Sequence, residues 1–211
     1  MIPLHRVVGL DISLSATGVA ILEIFDGGKT KLVSTFVCSA CGSDGTRTDK
    51  GERLAGLWDE IGHSLKHIRN HVPVGVYNKG ASIFAEGYSF GSKHAQQTLG
   101  EVHGVIHERL WSEHGLAMRY IAPITAKYTA CPDWPGRSIA CWKAAGKTGV
   151  WKRSTPGKED VLRGLFDRFG LRIATDAEGD AVCVALAGAA SINISPRNKV
   201  VDARVLSRSK K

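Results

Sequence analysis

Two short apolar runs in this chain each end in a carboxylate, and that repeated arrangement constrains the fold more than any other feature. Val7 to Leu10 leads into Asp11 and the small-residue turn that reaches Thr17-Gly18, while Ala81-Ser82-Ile83-Phe84-Ala85 leads into Glu86 and Gly87. Apolar runs of this length bounded by turn residues read as buried strands. An ionised carboxylate at the end of such a strand is costly to desolvate unless a metal, a base or water partners it. For Asp11 alone, a turn Asp bonding its own backbone is an equally good reading. The decision rests on whether other acids can converge on it.

The rest of the chain supplies a sheet and helices to surround those strand ends. Val19 to Phe25 reads as a second strand, Asp26-Gly27-Gly28 as a turn, and Lys31 to Cys38 as a third strand, which together make an antiparallel meander. Ser39 to Asp49 is small and polar, a loop. Leu54, Leu57, Trp58, Ile61, Leu65 and Ile68 recur every three or four positions and predict an amphipathic helix over 51–72. Val72 to Gly80 returns the chain to the sheet. His94 to Trp111 is a second helix by the spacing of Leu99, Val102, Val105, Ile106 and Leu110, and Gly100 and Gly104 on it suit close packing against the sheet or a partner subunit. Leu116 to Ile121 reads as a strand. Ala122 to Gly157, with four prolines, reads as a long irregular loop, followed by helices over 158–169, stopped by Gly170, and 176–190.

At 211 residues the chain suits one domain, here residues 1–195, with a flexible basic tail over 196–211. No apolar run approaches the ~18 residues that would span a membrane, and the amino terminus lacks an export-signal pattern. An odd number of cysteines, five, fits reduced thiols, so the expected location is the cytoplasm. The net charge of +8 is concentrated late: Arg119 to Lys158 carries eight basic residues and one acid, Asp133. Such a stripe suits a polyanion, most simply nucleic acid. Its alternative is a solvated loop that aids solubility.

A third acidic position falls in the first turns of the final helix. Asp176 and Asp180 lie four apart and share a helix face, whereas Glu178 points elsewhere. Clustered carboxylates stay ionised most readily around hard divalent cations such as Mg²⁺. Two such ions about 4 Å apart are a known means of phosphodiester hydrolysis, and a basic stripe beside them would hold the substrate backbone.

At these residues the chain resembles a known family. Gly9-Leu10-Asp11-Ile12-Ser13-Leu14 with Thr17-Gly18, then Glu86-Gly87-Tyr88-Ser89-Phe90-Gly91 with Leu99-Gly100-Glu101 and Gly104, then Asp176-Ala177-Glu178-Gly179-Asp180-Ala181 are similar in order and spacing to the acidic blocks of RuvC-type Holliday junction resolvases, in particular the phage-encoded branch. Pro123-Ile124-Thr125-Ala126-Lys127, Gly146-Lys147-Thr148-Gly149 and Lys158-Glu159-Asp160-Val161-Leu162 resemble the family's lysine-bearing loop and the helix after it. The resemblance covers roughly residues 6 to 190 and implies an α/β, RNase H-like fold, a five-stranded mixed sheet of three antiparallel and then parallel strands flanked by helices. It further implies a homodimer that makes paired nicks in four-way (Holliday) junctions and related branched DNA. Carried over residue by residue, Asp11, Glu86, Asp176 and Asp180 would be catalytic metal ligands for two Mg²⁺ ions, with Mn²⁺ substituting, and Lys127, Lys147 or Lys158 would meet the DNA.

Two departures from the family pattern bear on this. Many members place the paired acid of the last helix three residues before its partner, where Ala177 stands here; Asp176, one position earlier, either faces the metals or caps the helix. Tyr128 to Ala145 form an insertion of eighteen residues in the basic loop, which leaves open which lysine takes the catalytic place.

Other motifs are weaker. Tyr88 and Phe90 either stack on unpaired bases at a junction or pack in the core. Trp134, Trp142 and Trp151 punctuate the basic loop, where they either meet DNA or anchor the loop. Cys38 and Cys41 have half a zinc site's spacing, but Cys131 and Cys141 are too far apart for the other half. Gly146-Lys147-Thr148 lacks the earlier glycine and the strand of a phosphate-binding loop. The histidines read as surface or core residues. The principal expectation is therefore a Mg²⁺-dependent, structure-selective endonuclease, with two rivals: an actin-like-fold ATP-binding kinase, whose first phosphate loop resembles Gly9 to Gly18, and a resolvase-like protein that binds junctions without cutting.

Overall fold

The computed structural model describes residues 3–13, 15–39, 49–69, 81–87, 93–134, 139–140, 143–144, 146, 155–192 and 201–202. Its centre is a sheet in the order β5-β4-β1-β2-β3-β6. β1 (His5–Asp11), β2 (Ala16–Ile24) and β3 (Thr30–Ser39) form the expected antiparallel meander. β4 (Ala81–Glu86) pairs in parallel with β1, and β5 (Met118–Ile121) in parallel with β4. These five strands and the flanking helices are the RNase H-like architecture that the sequence led us to expect. A sixth strand, β6 (Val201–Asp202), pairs with Lys31 and Leu32 at the edge, so this dipeptide of the expected tail joins the sheet.

Five helices are described: α1 (Lys50–Arg69), α2 (Lys93–His114), α3 (Pro123–Ala130), α4 (Lys158–Phe169) and α5 (Asp176–Ser191). Four lie where periodicity puts them. The exception is α3, which occupies the start of the segment expected to be a loop over 122–157. Pro123 starts α3 without needing an amide donor, and Ala126 and Ala130, four apart, bury a narrow small-residue stripe. A stripe of two alanines gives too weak an apolar pattern to be legible as a helix.

The sheet divides the core in two. α1 and α2 cover one face through Leu57, Trp58, Ile61, Val102, Ile106 and Leu110, packed on Val8, Leu10 and Ile83. α3, α4 and α5 cover the other, through Ala126, Leu165, Ala181, Val182 and Ala185, packed on Val7 and Phe84. Because side chains alternate along a strand, Asp11 shares the α5 face with Val7 and Gly9, and Glu86 shares it with Phe84.

α5 lies unusually close to that face. A Cβ on Gly9 would fall 2.2 Å from the Ala181 carbonyl oxygen, and one on Gly18 would fall 2.0 Å from that of Ala177. Only glycine leaves room for the helix backbone there. Gly100 and Gly104 differ: among the described residues nothing stands within 4 Å of a Cβ at either, so close packing on the described sheet does not require them.

Candidate active site

Asp11 closes β1 opposite Gly18 of β2, and Leu10 pairs with Ala85, so Asp11 and Glu86 end adjacent parallel strands side by side. The end of β4 is pinned where the Gly87 amide donates to the Ile121 carbonyl at 2.7 Å. The turn after Asp11 is knitted by hydroxyls: Thr17 Oγ1, fully buried, accepts from the Ser13 amide at 3.2 Å and donates to its carbonyl at 3.0 Å. This Ser13–Thr17 exchange fixes the backbone immediately beyond the acid. The sequence reading took these residues only as small turn formers, although hydroxyls four apart were the available signal.

The start of α5 brings the third acid. Its N-cap is Thr175, whose hydroxyl accepts from the Glu178 amide, while Glu178 Oε2 accepts from the Thr175 amide at 3.1 Å and from its hydroxyl at 3.0 Å. The reading of Asp176 as the helix cap is thereby corrected. Thr175-Asp176-Ala177-Glu178 is a capping box, a pattern present in the sequence and passed over. Glu178 is buried, and its carboxylate is taken up by the Thr175 amide and hydroxyl.

Asp11, Glu86 and Asp180 are close enough to act on one another electrostatically. Burial, and then the Asp180 charge, push the Asp11 carboxyl up to about 6. Burial, then Asp11 and Asp180, push Glu86 up to about 7. Asp180 is likewise raised, chiefly by burial and with a contribution from Asp176. The positive charge of Lys127 on α3 opposes the rise at all three. Three carboxylates at one rim, each easier to protonate than in water, are a site that favours added positive charge.

Asp176, whose charge also reaches Asp11 and Asp180, is held differently. Its carboxylate receives the Lys158 ammonium at the start of α4. That bond holds its pKa below the usual carboxylate range, the opposite of the other three acids. The structure thus brings together Asp11, Glu86, Asp180 and Lys127, with Asp176 and Lys158 as a pair at their edge. Tyr88, Phe90 and Lys147 lie outside the described residues, as do Cys41, Cys141, Trp142 and Trp151. Trp134 packs against the α5-side core. It anchors the start of the basic segment to its own domain.

The donor set fits a hard divalent ion, since every candidate ligand is a carboxylate oxygen. Among the described residues no group of three acid, Cys or His side chains is drawn into a ready-formed ion cage. Fit therefore rests on the shared rim of the carboxylates and their raised pKa values. No helix among the described residues is long and apolar enough to cross a membrane.

No protein-family model matches the chain, and no curated protein matches it. Solved structures do. RuvC of Thermus thermophilus in complex with a Holliday junction substrate is 16% identical, with a TM-score of 0.60 over 90% of this chain and 97% of that one. A second Thermus thermophilus RuvC structure gives 0.58 at the same identity and coverage. The yeast mitochondrial Holliday junction resolvase Ydc2 is 15% identical, with a TM-score of 0.50 over 89% of this chain and 78% of that one. At such identities the likeness is one of fold, and it spans nearly the whole chain: this protein has the RNase H-like fold of the RuvC resolvases.

Proposed function

We propose that this protein is a divalent-metal-dependent, structure-selective endonuclease that resolves four-way DNA junctions by paired nicks. The observation that carries this reading is the convergence of Asp11, Glu86 and Asp180 on one rim, raised in pKa by burial and mutual repulsion and faced by Lys127. The nuclease domain spans residues 1–195, with a short basic segment over 196–211 of which Val201 and Asp202 add an edge strand. Asp11, Glu86 and Asp180 would hold two Mg²⁺ ions, with Mn²⁺ substituting. When bound, such ions supply a nucleophile at neutral pH and neutralise charge at the leaving oxygen.

The chain's own groups bind and orient the DNA. Lys127 aims positive charge at the rim where a scissile phosphate would sit, and Lys158, with Lys147 by its place in the basic stretch of the sequence, would extend that charge along the backbone. Tyr88 and Phe90, two and four residues after Glu86 in sequence, would stack on unpaired bases at the junction centre, worth about 1 to 3 kcal/mol per base. Paired nicks need two such sites, hence a homodimer. The outward face of α2 suits that contact, because Gly100 and Gly104 leave it open and Trp111 on the same face is 64% exposed. The free thiols of Cys38, Cys131 and Cys183 support a reducing, cytoplasmic setting for this activity.

The test is a synthetic four-way junction incubated with Mg²⁺ or Mn²⁺. Symmetric paired nicks leaving 5′-phosphates are expected, lost in Asp11→Asn while junction binding persists. Undiminished nicking by that variant would overturn the assignment.

A further inference from the structure

We propose that Asp176 is a positioning residue for Lys158, holding its ammonium at the edge of the Asp11–Glu86–Asp180 rim, and that it is not a fourth ligand of the metal-holding set. The inference rests on the nuclease reading above.

Asp176 acts electrostatically on Asp11 and Asp180, yet its carboxylate is engaged by a lysine. The position three before Asp180 is Ala177, and its carbonyl lies where a Cβ on Gly18 would reach 2.0 Å. The backbone of that turn of α5 is pressed against the sheet, and the residue there carries no acid. Asp176, one residue earlier, turns toward α4 and meets Lys158. Its side chain is 43% exposed, and it does not cap the helix, because Thr175 does. Its carboxylate accepts from the Lys158 ammonium and from its own amide, and its charge reaches Asp11 and Asp180 from outside the buried cluster.

Lys158 is equally unexplained by its own helix. It is the first residue of α4, the positive end of the helix dipole, where a cation is disfavoured. Glu159 and Asp160 fill the favourable roles there, and Asp160 Oδ2 accepts from the Gly157 amide at 3.1 Å. α4 is docked on α5 through Leu162, which lies 2.8 Å from a Cβ built on Gly179. The base of the lysine is therefore fixed, and its long side chain is the part left free. An exposed ion pair adds little to stability, so the pair's effect is one of placement. Lys158 acts electrostatically on both Asp11 and Asp180, which puts its charge within range of the proposed reaction. Tethering a flexible four-carbon side chain at that spot removes the entropy of finding it during the reaction.

The experiment combines Mn²⁺ binding, read by electron paramagnetic resonance on the metal alone, with single-turnover and steady-state nicking of a four-way junction. Asp176→Asn is expected to leave Mn²⁺ affinity within about threefold of wild type, whereas Asp11→Asn lowers it roughly tenfold or more. Asp176→Asn should lower kcat about tenfold with KM little changed. In a Lys158→Ala background it should lower kcat no further, the signature of one coupled unit. Asp176→Glu, which keeps the charge, should recover most of the rate. A loss of Mn²⁺ affinity in Asp176→Asn matching that of Asp11→Asn would make Asp176 a ligand. A full additional loss of kcat in the Lys158→Ala background would show that the two act separately. Either result overturns the proposal. If the wild-type protein nicks no branched DNA, the nuclease reading falls, while the Mn²⁺ titrations still decide whether Asp176 is a ligand.

Discussion

The two faces of the sheet are built from alternating residues of the same strands, yet they pack by different means. On the α1 and α2 side, Leu10, Val8 and Ile83 meet Leu57, Trp58, Ile61 and Ile106, large side chains that keep helices and sheet apart. On the α5 side the contact at Gly9 and Gly18 is backbone to backbone, and the helix contributes mainly alanine, glycine and valine. That difference decides where chemistry can occur. A short carboxylate on α5 can approach a strand-end carboxylate only if the helix comes close, and it does so on one face alone. Asp11 and Glu86 point to that face by strand parity. One residue of slip in either strand would aim its acid into the opposite core.

The largest expected effect comes from breaking the acidic face itself. Glu86→Gln or Asp180→Asn should each lower junction nicking by roughly a thousandfold, since both remove charge from groups argued to act as a unit. Ile83→Val, three residues before Glu86 on the other face, should cost about 1 kcal/mol of stability and leave nicking of the folded protein unchanged. Quench-flow nicking and chemical denaturation on the same preparations measure both.

Close approach can be broken separately from charge. Gly9→Ala should destabilise by about 3 kcal/mol, because its methyl would have to displace the α5 backbone at Ala181. Leu10→Ala, its neighbour on the other face, should cost a similar 2 to 5 kcal/mol by leaving a cavity. The comparison is sharpened by Mn²⁺ affinity of the folded fraction, expected to fall in Gly9→Ala and to hold in Leu10→Ala. Equal affinities would mean that helix position does not set the site.

Protonation gives a smaller and opposite-looking effect. Asp11 and Glu86 are raised to about 6 and about 7, so between their ordinary values and these the folded protein binds more protons than the unfolded chain. Without metal, stability contributed by the protonated acids is present at low pH and is lost as pH rises through about 7. Asp11→Asn should therefore be more stable than the wild type at pH 8 by about 2 kcal/mol or less, and equal to it near pH 4. Mg²⁺ should reverse the order by binding the ionised wild-type site. Thermal melts across pH, with and without Mg²⁺, measure it. At subsaturating Mg²⁺, nicking should rise as pH approaches about 7, because Glu86 must lose its proton to hold the ion, and saturating Mg²⁺ should shift that rise to lower pH.

Much of this architecture was legible before any coordinates. A strand that ends in an acid is visible as an apolar run and a charge, and α1, α2 and α4 are visible by their large apolar residues at helical spacing. α3 was not, because Ala126 and Ala130 bury a face without a hydrophobic signature. Neither was the closeness of α5, since nothing in Gly9 or Gly18 alone says which backbone will arrive opposite it. The pairing of Lys158 with Asp176, eighteen residues apart, depends on two helix starts meeting in space. Asp180 needed only its place in the last helix. The role of Asp176 needed the neighbour.

The smallest effect concerns the cap that sets where α5 begins. Thr175 and Glu178 satisfy one another's amides, and their register decides that Ala177 faces Gly18 and Asp180 faces Asp11. Thr175→Ala removes a hydroxyl that accepts from the Glu178 amide and should cost about 1 kcal/mol, by chemical denaturation. Thr175→Ser, which keeps the oxygen, should cost only a few tenths of that. If capping did no more than stabilise the helix, nicking by the folded Thr175→Ala protein would match wild type. Because the cap sits one residue before Asp176 and five before Asp180, fraying of this turn loosens both acids at once, and a two- to fivefold fall in kcat is expected, on the order of 0.5 to 1 kcal/mol. The α1 and α2 face offers the control: Glu60 accepts from the Ser39 amide at 2.7 Å and secures the end of β3. Glu60→Gln should shift stability by a similar amount and leave kcat untouched, because no acid of the rim depends on that face.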